Sequence, residues 1–332
     1  MLNLGLIGAG RIGQVHASTI KSRVSQAQIL AVADVVETAA KSCADKFGIA
    51  SFSRDPQAII DNPAIQAVLI CSNTDTHAPL IESAAKAGKH IFCEKPIALD
   101  LGQIDRALAA VDKAGVQLQI GFNRRFDANF RRIRDAVTSG EIGQPHILHI
   151  ISRDPAPPPI AYVKTSGGLF VDMAIHDFDM ARYLIGSEVA EVFVQAAVRV
   201  DPAIGEAGDV DTAITMLRFA NGVIGTIDNS RQAVYGYDQR VEVFGSRGAI
   251  QALNNYANQA VLSTAESVKR DLPLNFFMQR YIEAYAAEIE AFIDAVASGK
   301  PVPVNGHDGK MAVVIAAATK ESWLTKKPVC LP

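Results

Sequence analysis

A glycine-rich turn near the N-terminus constrains the fold of this chain more than any other feature. Residues 8–13 (GAGRIG) follow the apolar run LNLGLI and open a helical pattern, and Asp34 ends the next apolar run, 21 residues after Gly13. In a strand–turn–helix unit, glycines at these positions permit a tight turn, close approach of a pyrophosphate and close packing of the helix. The free N–H groups at the helix N-terminus favour phosphate. The chain is therefore predicted to begin with a dinucleotide-binding unit.

Asp34 bears on the choice of dinucleotide. Its carboxylate would accept hydrogen bonds from an adenosine ribose and repel a 2′-phosphate, so NAD is expected rather than NADP. Arg11 would partly offset that repulsion. The residues of this region predicted to bind the cofactor are Gly8, Gly10, Arg11, Ile12, Gly13 and Asp34.

The first third of the chain alternates between two kinds of pattern. Up to residue 122, short continuous apolar runs are separated by helical patterns near residues 37–47, 77–87 and 102–114. Continuous apolar runs are typical of parallel strands that are covered on both faces. We therefore predict an N-terminal Rossmann dinucleotide-binding domain over residues 1–122, within an overall α/β fold.

The remainder of the chain has a different periodicity. Apolar and polar residues alternate in segments such as 189–200, and Asn221-Gly222 is typical of a hairpin turn. Two helical patterns follow, at 276–299 and around 311–324. These features predict a C-terminal α+β domain with a mainly antiparallel sheet over residues 123–332.

Length and composition limit the class of protein. The 332 residues, 49% hydrophobic and 20% charged, are sufficient for two domains with apolar cores. A net charge of −3 without a long basic run argues against a nucleic-acid partner. The N-terminal apolar run is too short for a membrane span and lacks the features of a signal peptide, so a cytoplasmic protein with no membrane partner is expected. The four scattered cysteines are expected to be reduced thiols in the apolar core.

Polar residues follow two further apolar runs, at the sheet edge where open α/β sheets bind ligands. Ser72, Asn73 and Thr74 follow one run and are expected to line the nicotinamide side of the cofactor. Glu94 and Lys95 follow another, and the proline after Lys95 excludes helical backbone for that lysine. Lys95 is thereby expected to point in a fixed direction, while Glu94 either orients it or faces solvent.

A polar stripe crosses an otherwise apolar helical pattern at residues 167–185 (GGLFVDMAIHDFDMARYLI). Asp172, His176 and Asp179 fall within roughly 60° of one another on an α-helix, because they lie at i, i+4 and i+7. A carboxylate and an imidazole in apolar surroundings cost free energy of desolvation unless they are paired or used. The stripe is therefore either a mutually satisfied Asp–His pair or a catalytic face. Asp177 lies off the stripe and is expected at the surface or at the end of a helix bundle.

A metal-dependent enzyme is one alternative, since the stripe carries residue types that bind metals. The other histidines supply no matching pair of ligands on a helix, and the cysteine spacing does not fit zinc. We therefore expect no metal.

Four segments together resemble the Gfo/Idh/MocA oxidoreductase family, and they occur in the family's order along essentially the whole chain. They are GAGRIG (8–13), NTDTH (73–77), CEKP (93–96) and GG-x-x-x-D-x-x-x-H (167–176). Within the family the chain is most similar to the inositol 2-dehydrogenases, through GFNRRFD (121–127), SRDPAPPP (152–159), residues 167–182 and YGYD (235–238). The resemblance implies that the second domain has an open sheet that is often used to form tetramers, so a homotetramer is expected.

The resemblance also implies an activity and its residues. Lys95, Asp172 and His176 would be catalytic, and His77, Glu94 and Lys95 would join the cofactor site. The implied reaction is NAD-dependent oxidation of a cyclic polyol, foremost myo-inositol to 2-keto-myo-inositol (scyllo-inosose), as in inositol catabolism. In such a reaction His176 is the general base, Asp172 stabilises its ring and Lys95 steadies the reacting oxygen.

A substrate with a ring of hydroxyls needs many hydrogen-bonding groups in its site. The candidate substrate-binding residues are Asn123, Arg125, Arg153, Asp154, Asp172, His176, Asp179 and Tyr235. Interdomain or subunit ion pairing is an equal alternative for Arg125 and Arg153, and a packing or interface role is an alternative for Tyr235. Other inositol isomers (scyllo- or D-chiro-inositol), a sugar such as glucose or xylose, and a non-enzymatic NAD-binding regulator stay open as functions.

Overall fold

The computed structural model describes all 332 residues of the chain, and they divide into two compact units. Unit 1 comprises Met1–Phe126 and Glu283–Val313, and unit 2 comprises Asp127–Ile282 and Val314–Pro332. Each unit contains its own large sheet. No helix in the chain combines the length and the apolar character that crossing a bilayer requires.

The elements are numbered in chain order. The strands are β1 (Leu2–Ile7), β2 (Ala27–Ala33), β3 (Ser51–Ser53), β4 (Ala67–Ile70), β5 (His90–Glu94), β6 (Leu118–Gly121), β7 (Pro145–Arg153), β8 (Val189–Ala197), β9 (Thr212–Phe219), β10 (Ile224–Ser230), β11 (Asp238–Gly245), β12 (Gly248–Ala252), β13 (Val261–Ser263), β14 (Val268–Arg270) and β15 (Val329–Cys330). The α-helices are α1 (Arg11–Arg23), α2 (Glu37–Phe47), α3 (Gln57–Ile60), α4 (Thr74–Lys86), α5 (Leu101–Ala114), α6 (Ala128–Thr138), α7 (Ile160–Val163), α8 (Ile175–Ile185), α9 (Pro202–Glu206), α10 (Phe277–Arg280), α11 (Ile282–Ser298) and α12 (Gly306–Thr325). A 3-10 turn lies at Asn123–Phe126 and a π-helical turn at Leu169–Met173.

Unit 1 is built on a six-stranded sheet with the order β3-β2-β1-β4-β5-β6. All of its strand pairs are parallel. This order is that of the doubly wound dinucleotide-binding fold. Every residue of β4 is buried, as a parallel strand covered on both faces requires. The predicted Rossmann fold is confirmed.

The cysteines only partly follow their prediction. Cys43, Cys71 and Cys93 are buried, whereas Cys330, at the end of the two-residue strand β15, is exposed rather than in the core.

A late segment of the chain completes the apolar core of unit 1. Ile289, Phe292 and Ile293 of α11 lie in the same buried cluster as Leu6 and Phe92. The rings of Phe92 and Phe292 have their centroids 5.9 Å apart. The helical pattern at 276–299 predicted a helix here, but periodicity does not indicate which sheet a helix covers.

Unit 2 is built on a seven-stranded sheet with the order β12-β11-β7-β10-β9-β8-β15. The pair β7–β10 is parallel, and the other pairs are antiparallel. The turn between β9 and β10 contains Gly222 at φ +88°, which confirms the predicted hairpin. The prediction of a mainly antiparallel sheet is confirmed, and the one parallel pair makes the sheet mixed.

The two faces of the unit 2 sheet differ in exposure. Along β9, Ala213 and Leu217 are buried, whereas the alternate residues Ile214 and Met216 are 53% and 55% exposed. Helix α8 packs against β7 of this sheet. One face therefore forms the core of unit 2, while the other carries exposed apolar side chains.

Candidate active site

The glycine-rich turn joins β1 to α1 at the carboxyl end of β1, a central strand of the unit 1 sheet. Gly8 has φ +102°, and a Cβ there would lie 2.5 Å from the carbonyl carbon of Cys71. A Cβ on Gly13 would lie 2.0 Å from the carbonyl oxygen of Gly8. Gly10 has φ −68°, and a Cβ there would meet nothing within 4 Å. The fold itself therefore requires Gly8 and Gly13, whereas Gly10 borders open space at the N-terminus of a helix.

Asp34 follows β2 and is fixed beneath this turn by two backbone donors. The N–H of Ala9 donates to Oδ2 at 2.8 Å, and the N–H of Val36 donates to Oδ1 at 2.9 Å. Each carboxylate oxygen has a second lone pair and can accept a further hydrogen bond. Open space at Gly10, helix N–H groups and a fixed carboxylate are the features that a dinucleotide's pyrophosphate and ribose require. The residues present fit that group.

The ends of β4 and β5 are joined through a buried histidine. His77 is 1% exposed, with Nδ1 2.7 Å from the carbonyl oxygen of Pro96 and Nε2 3.0 Å from that of Ser72. The hydroxyls of Ser72 and Thr76 lie 2.6 Å apart. Asn73 occupies the N-cap position of α4 with extended backbone, and Thr74 begins the helix. His77 thereby links the backbone after β4 to the backbone after β5. The polar residues that follow β4 lie next to this contact.

Lys95 follows β5 directly. The Lys95–Pro96 peptide bond is cis, and Lys95 is half-buried. The preceding residue, Glu94, has Oε1 2.8 Å from Nε2 of His16 on α1. Glu94 therefore does not face solvent, because its side chain is 12% exposed and its carboxylate contacts a buried histidine.

The polar stripe lies on two helical turns of different type. Asp172 lies in the π-helical turn Leu169–Met173, in which the N–H of Ala174 donates to the carbonyl oxygen of Leu169 at 2.9 Å. His176 and Asp179 lie on α8, where Asp179 is 1% exposed. The single α-helix predicted over this segment is thus interrupted at the position of Asp172, and π turns of this kind occur frequently at functional sites.

Asp177 corrects a prediction. It was expected at the surface, but it is fully buried, and the Asn229 side chain donates a hydrogen bond to its Oδ2 at 2.8 Å. Asn229 lies on β10, 52 residues further along the chain. The carboxylate is tolerated inside unit 2 because this partner satisfies it, and the helical pattern alone gave no sign of the partner.

The carboxylate of Asp172 is held by two side chains. The Tyr162 hydroxyl donates to Oδ1 at 2.9 Å, and Nη1 of Arg231 donates to Oδ2 at 2.9 Å. The Arg231 side chain is 2% exposed, and its Nη1 also lies 3.8 Å from Oδ2 of Asp154. Nε and Nη2 of Arg231 are buried without a hydrogen bond. A buried cation is thereby directed at Asp172.

The sequence analysis missed both Tyr162 and Arg231. Arg231 lies 59 residues from Asp172 and just past the end of β10, and no spacing links the two positions. The only sign of Arg231 in the sequence is that a charged residue follows a segment in which apolar and polar residues alternate.

Arg153 and Tyr235 belong to one polar network in unit 2. Arg153 contacts both carboxylate oxygens of Asp228, at 3.1 and 2.5 Å, and donates to the Tyr235 hydroxyl at 3.2 Å. The hydrogen bond with Asp228 raises the pKa of the Arg153 guanidinium. The Tyr235 hydroxyl in turn donates to Oδ2 of Asp238 at 2.6 Å. Arg153 is thus ion-paired, but Asp228 lies in the same unit, so this is not the interdomain or subunit ion pair that was the alternative to substrate contact.

Two other candidates lie in the 3-10 turn of unit 1. Arg125 contacts both carboxylate oxygens of Asp308, at 2.9 and 3.2 Å. Asn123 is 2% exposed. Arg125 is therefore ion-paired within unit 1, and this pair too differs from the interdomain or subunit ion pair that was the alternative to substrate contact.

Comparison with known proteins places these features in a family. A model of an oxidoreductase family with an NAD-binding Rossmann fold matches residues 2–122, and a model of the GFO/IDH/MocA C-terminal domain matches residues 130–251. The chain belongs to the Gfo/Idh/MocA oxidoreductase family. The resemblance inferred from the sequence motifs is confirmed.

Several relatives of known name match along nearly their full length. A myo-inositol 2-dehydrogenase of Thermotoga maritima is 49% identical over 99% of this chain and 98% of its own. An inositol 2-dehydrogenase of Rhizobium meliloti is 46% identical over 99% of both chains.

Solved structures show the same architecture. A myo-inositol dehydrogenase from Corynebacterium glutamicum superposes with a TM-score of 0.96 at 38% identity, covering 100% of this chain and 99% of its own. A scyllo-inositol dehydrogenase from Lactobacillus casei, with bound NAD(H) and scyllo-inositol, superposes with a TM-score of 0.93 at 29% identity, covering 99% of both chains.

The two glycines of the turn make a matched pair of variants. Gly10→Ala is expected to leave the melting temperature of the unliganded protein unchanged, because its Cβ meets no atom, yet to raise the Kd for NAD at least about tenfold. Gly8→Ala is expected to destabilise the unliganded protein, because its Cβ overlaps the Cys71 backbone. Thermal denaturation and NAD titration measure both effects. Wild-type NAD affinity in Gly10→Ala would contradict a cofactor at this turn.

A double-mutant cycle tests whether Arg231 acts through Asp172. Arg231→Met is expected to lower kcat at least about tenfold in the wild-type background and about twofold or less in an Asp172→Asn background, since residues that act as a unit are not additive. The exposed ion pair of Arg132 with Glu141 supplies the control Arg132→Met, which should have the same small effect in both backgrounds. Equal losses from Arg231→Met in the two backgrounds would show that Arg231 does not act on Asp172.

Proposed function

We propose that the protein catalyses the NAD-dependent oxidation of myo-inositol to 2-keto-myo-inositol (scyllo-inosose), a step of inositol catabolism. The observation that carries this proposal is identity of 46–49% with two inositol 2-dehydrogenases over the full length of the chain. The arrangement around Asp172 supports it, because a carboxylate held by a buried arginine lies one turn from His176.

The residues of unit 1 support NAD as the cofactor in preference to NADP. Gly8, Gly10, Ile12 and Gly13 form the turn for the pyrophosphate, with Arg11 exposed beside it. The fixed carboxylate of Asp34 faces the same turn and would bind ribose hydroxyls and repel a 2′-phosphate. Ser72, Asn73 and Thr74 would border the nicotinamide, with His77 behind them and Glu94 and Lys95 after the next strand.

In the proposed mechanism, the chain's own residues move the proton and hold the charge. The bound nicotinamide supplies the hydride acceptor. His176 takes the proton of the reacting hydroxyl as general base, a role worth typically about 10²–10⁴-fold in rate. Lys95 donates a hydrogen bond to the same oxygen and stabilises the negative charge that builds on it.

Asp172 completes this set by stabilising the imidazolium that forms on His176. Nη1 of Arg231 donates to Oδ2 of Asp172 and fixes that oxygen. Tyr162 fixes its other oxygen. Asp172 is thereby held in one geometry.

The remaining hydroxyls of the substrate would be bound by the other polar candidate residues. Asp179 lies on the helix of His176, and Asp154 lies beside Arg231. Arg153 and Tyr235 offer a preformed network, in which ion pairs fix the donors in place. Asn123 and Arg125 are the candidates from unit 1.

The choice of polyol has specific competitors. The relative from Lactobacillus casei is a scyllo-inositol dehydrogenase, so scyllo-inositol is the foremost alternative substrate. D-chiro-inositol, glucose and xylose present similar hydroxyl patterns. A non-enzymatic NAD-binding regulator has little use for a histidine supported by an ion-paired carboxylate.

We also propose a homotetramer, assembled through the unit 2 sheet, in the cytoplasm. The exposed sheet face supports this assembly, because it carries Ile214, Met216, Ile224 and Phe244 at 45–55% exposure. Apolar side chains grouped on one face mark interaction surfaces in proteins.

The principal test follows NADH absorbance with myo-inositol, scyllo-inositol, D-chiro-inositol, glucose and xylose. The highest kcat/KM is expected with myo-inositol, and His176→Ala is expected to lower kcat by at least about 10²-fold without changing the Kd for NAD. His307→Ala, an exposed histidine of α12, is the control and should keep wild-type kcat. Wild-type turnover in His176→Ala would remove the proposed base, and inactivity toward every polyol despite tight NAD binding would favour the regulator.

Cofactor preference is tested by exchanging the charge of Asp34. The wild type is expected to prefer NAD, and Asp34→Asn is expected to raise the ratio of kcat/KM for NADP to that for NAD by about tenfold, the factor that about 1.4 kcal/mol of charge repulsion produces. Glu37→Gln removes an exposed carboxylate three residues away and serves as the control. Equal kcat/KM for both cofactors in the wild type would remove this role of Asp34.

A further inference from the structure

A buried polar cluster lies in unit 1 and is not used by the mechanism above. It consists of His16 on α1, Glu94 at the end of β5 and Glu288 on α11, and we call it the His16 cluster. Nε2 of His16 lies 2.8 Å from Oε1 of Glu94. One nitrogen of His16 and one carboxylate oxygen of each glutamate lie within 4.8 Å of one another. The side chain of His16 is fully buried, that of Glu94 is 12% exposed, and Glu288 is fully buried.

Glu288 has an unusual position for a carboxyl group. Both of its carboxylate oxygens are buried and accept no hydrogen bond, and an ionised carboxylate in such surroundings costs several kcal/mol of desolvation. Burial raises the pKa of Glu288 well above its usual range, and the negative charge of Glu94 raises it further. Its backbone is fixed, because the Gln119 side chain donates to the carbonyl oxygen of Glu288 at 2.8 Å.

An aromatic ring and two thiols also lie near the cluster. The ring of Tyr285, one turn before Glu288 on α11, packs edge-on against His16 with centroids 5.9 Å apart. Cys71 after β4 and Cys93 on β5 are buried thiols, whose pKa values are raised by burial first and then by the charge of Glu94. A proton on one of the two carboxyl groups is the simplest way to satisfy the cluster, because two carboxylates at this separation do not both ionise readily.

We propose that Glu288 holds a proton at neutral pH and donates it in a hydrogen bond to Glu94, so that the His16 cluster fixes the end of β5 from which Lys95 follows. Glu94 then accepts from two sides, from the Glu288 hydroxyl and from Nε2–H of His16. An ionised oxygen only accepts, so Nε2 of His16 carries the hydrogen in this contact. Glu288 and His16 are thus positioning residues for Lys95, and this part rests on the role of Lys95 in the proposed function.

A metal ion is the competing occupant of the same cluster, since one imidazole and two carboxylates are ligand types for zinc. The geometry favours the proton. The 2.8 Å between His16 and Glu94 is a hydrogen-bond distance, whereas two ligands of one tetrahedral zinc ion lie about 3.3 Å apart when the metal–ligand bonds are about 2.0 Å.

The proton is tested without any substrate. The infrared difference spectrum of wild type minus Glu288→Gln, taken at pH 7 in D₂O, is expected to contain the C=O stretching band of a protonated carboxylic acid. The matched difference for Glu290→Gln, an exposed glutamate on the same helix, should contain carboxylate bands only. Carboxylate bands in the Glu288 difference would overturn the proposal, as would one equivalent of zinc retained through dialysis against a chelator.

The positioning role is tested by turnover at 25 °C in three variants. Glu288→Gln keeps a donor of the same shape and is expected to hold kcat within about threefold of wild type, whereas Glu288→Ala loses the donor and is expected to lower kcat at least about tenfold. Ile289→Ala, at a fully buried neighbour, supplies a core deletion without a polar contact and should lower the melting temperature while holding kcat within about twofold.

Two kinetic results would overturn the positioning role. One is an equal loss of kcat in Glu288→Gln and Glu288→Ala, and the other is a loss in Ile289→Ala as large as in Glu288→Ala. Absence of polyol oxidation in the wild type would instead defeat the proposed function, and the infrared experiment would still decide where the proton resides.

Discussion

A buried arginine against a carboxylate, Arg231 with Asp172, is the contact on which the proposed chemistry depends. A carboxylate can orient an imidazole and stabilise the imidazolium only if its own oxygens are held in place. The 2.9 Å contact with a 2%-exposed guanidinium fixes Oδ2 of Asp172. The π-helical turn that carries Asp172 and the hydrogen bond from Tyr162 both serve to hold that oxygen pair in place.

The same principle operates in unit 1, where buried or half-buried carboxylates are fixed before any ligand arrives. Asp34 is held by two backbone N–H groups, and Glu94 by His16. Such fixed groups lose little conformational entropy on binding, which is the benefit of preorganisation. Lys95 lies between this glutamate and a proline, directly after the carboxyl end of β5. The candidate site residues are thus held by direct hydrogen bonds and ion pairs within each unit.

Much of the fold and part of the candidate site were predictable, because they depend on residues that lie close together in the sequence. The glycine turn, Asp34 and the strand–helix alternation each act over a few residues, and the six-stranded parallel sheet follows from them. What the sequence left out depends on partners brought together by folding. Arg231 and Tyr162 have no spacing relation to Asp172, and the buried Asp177 on α8 accepts a hydrogen bond from Asn229, which lies on β10. The π turn was missed because a helical wheel assumes one fixed angle per residue, whereas the hydrogen bond from Ala174 spans five.

The central claim is that His176 and Lys95 act on one oxygen of the substrate while Asp172 remains paired with Arg231. The most direct measurement is a crystal structure of the protein with NADH and scyllo-inosose. The account predicts the ketone oxygen about 2.6–3.2 Å from a ring nitrogen of His176 and from Nζ of Lys95, with the Asp172–Arg231 contact intact. A ketone oxygen bound by other residues, with His176 beyond hydrogen-bond distance, would contradict it.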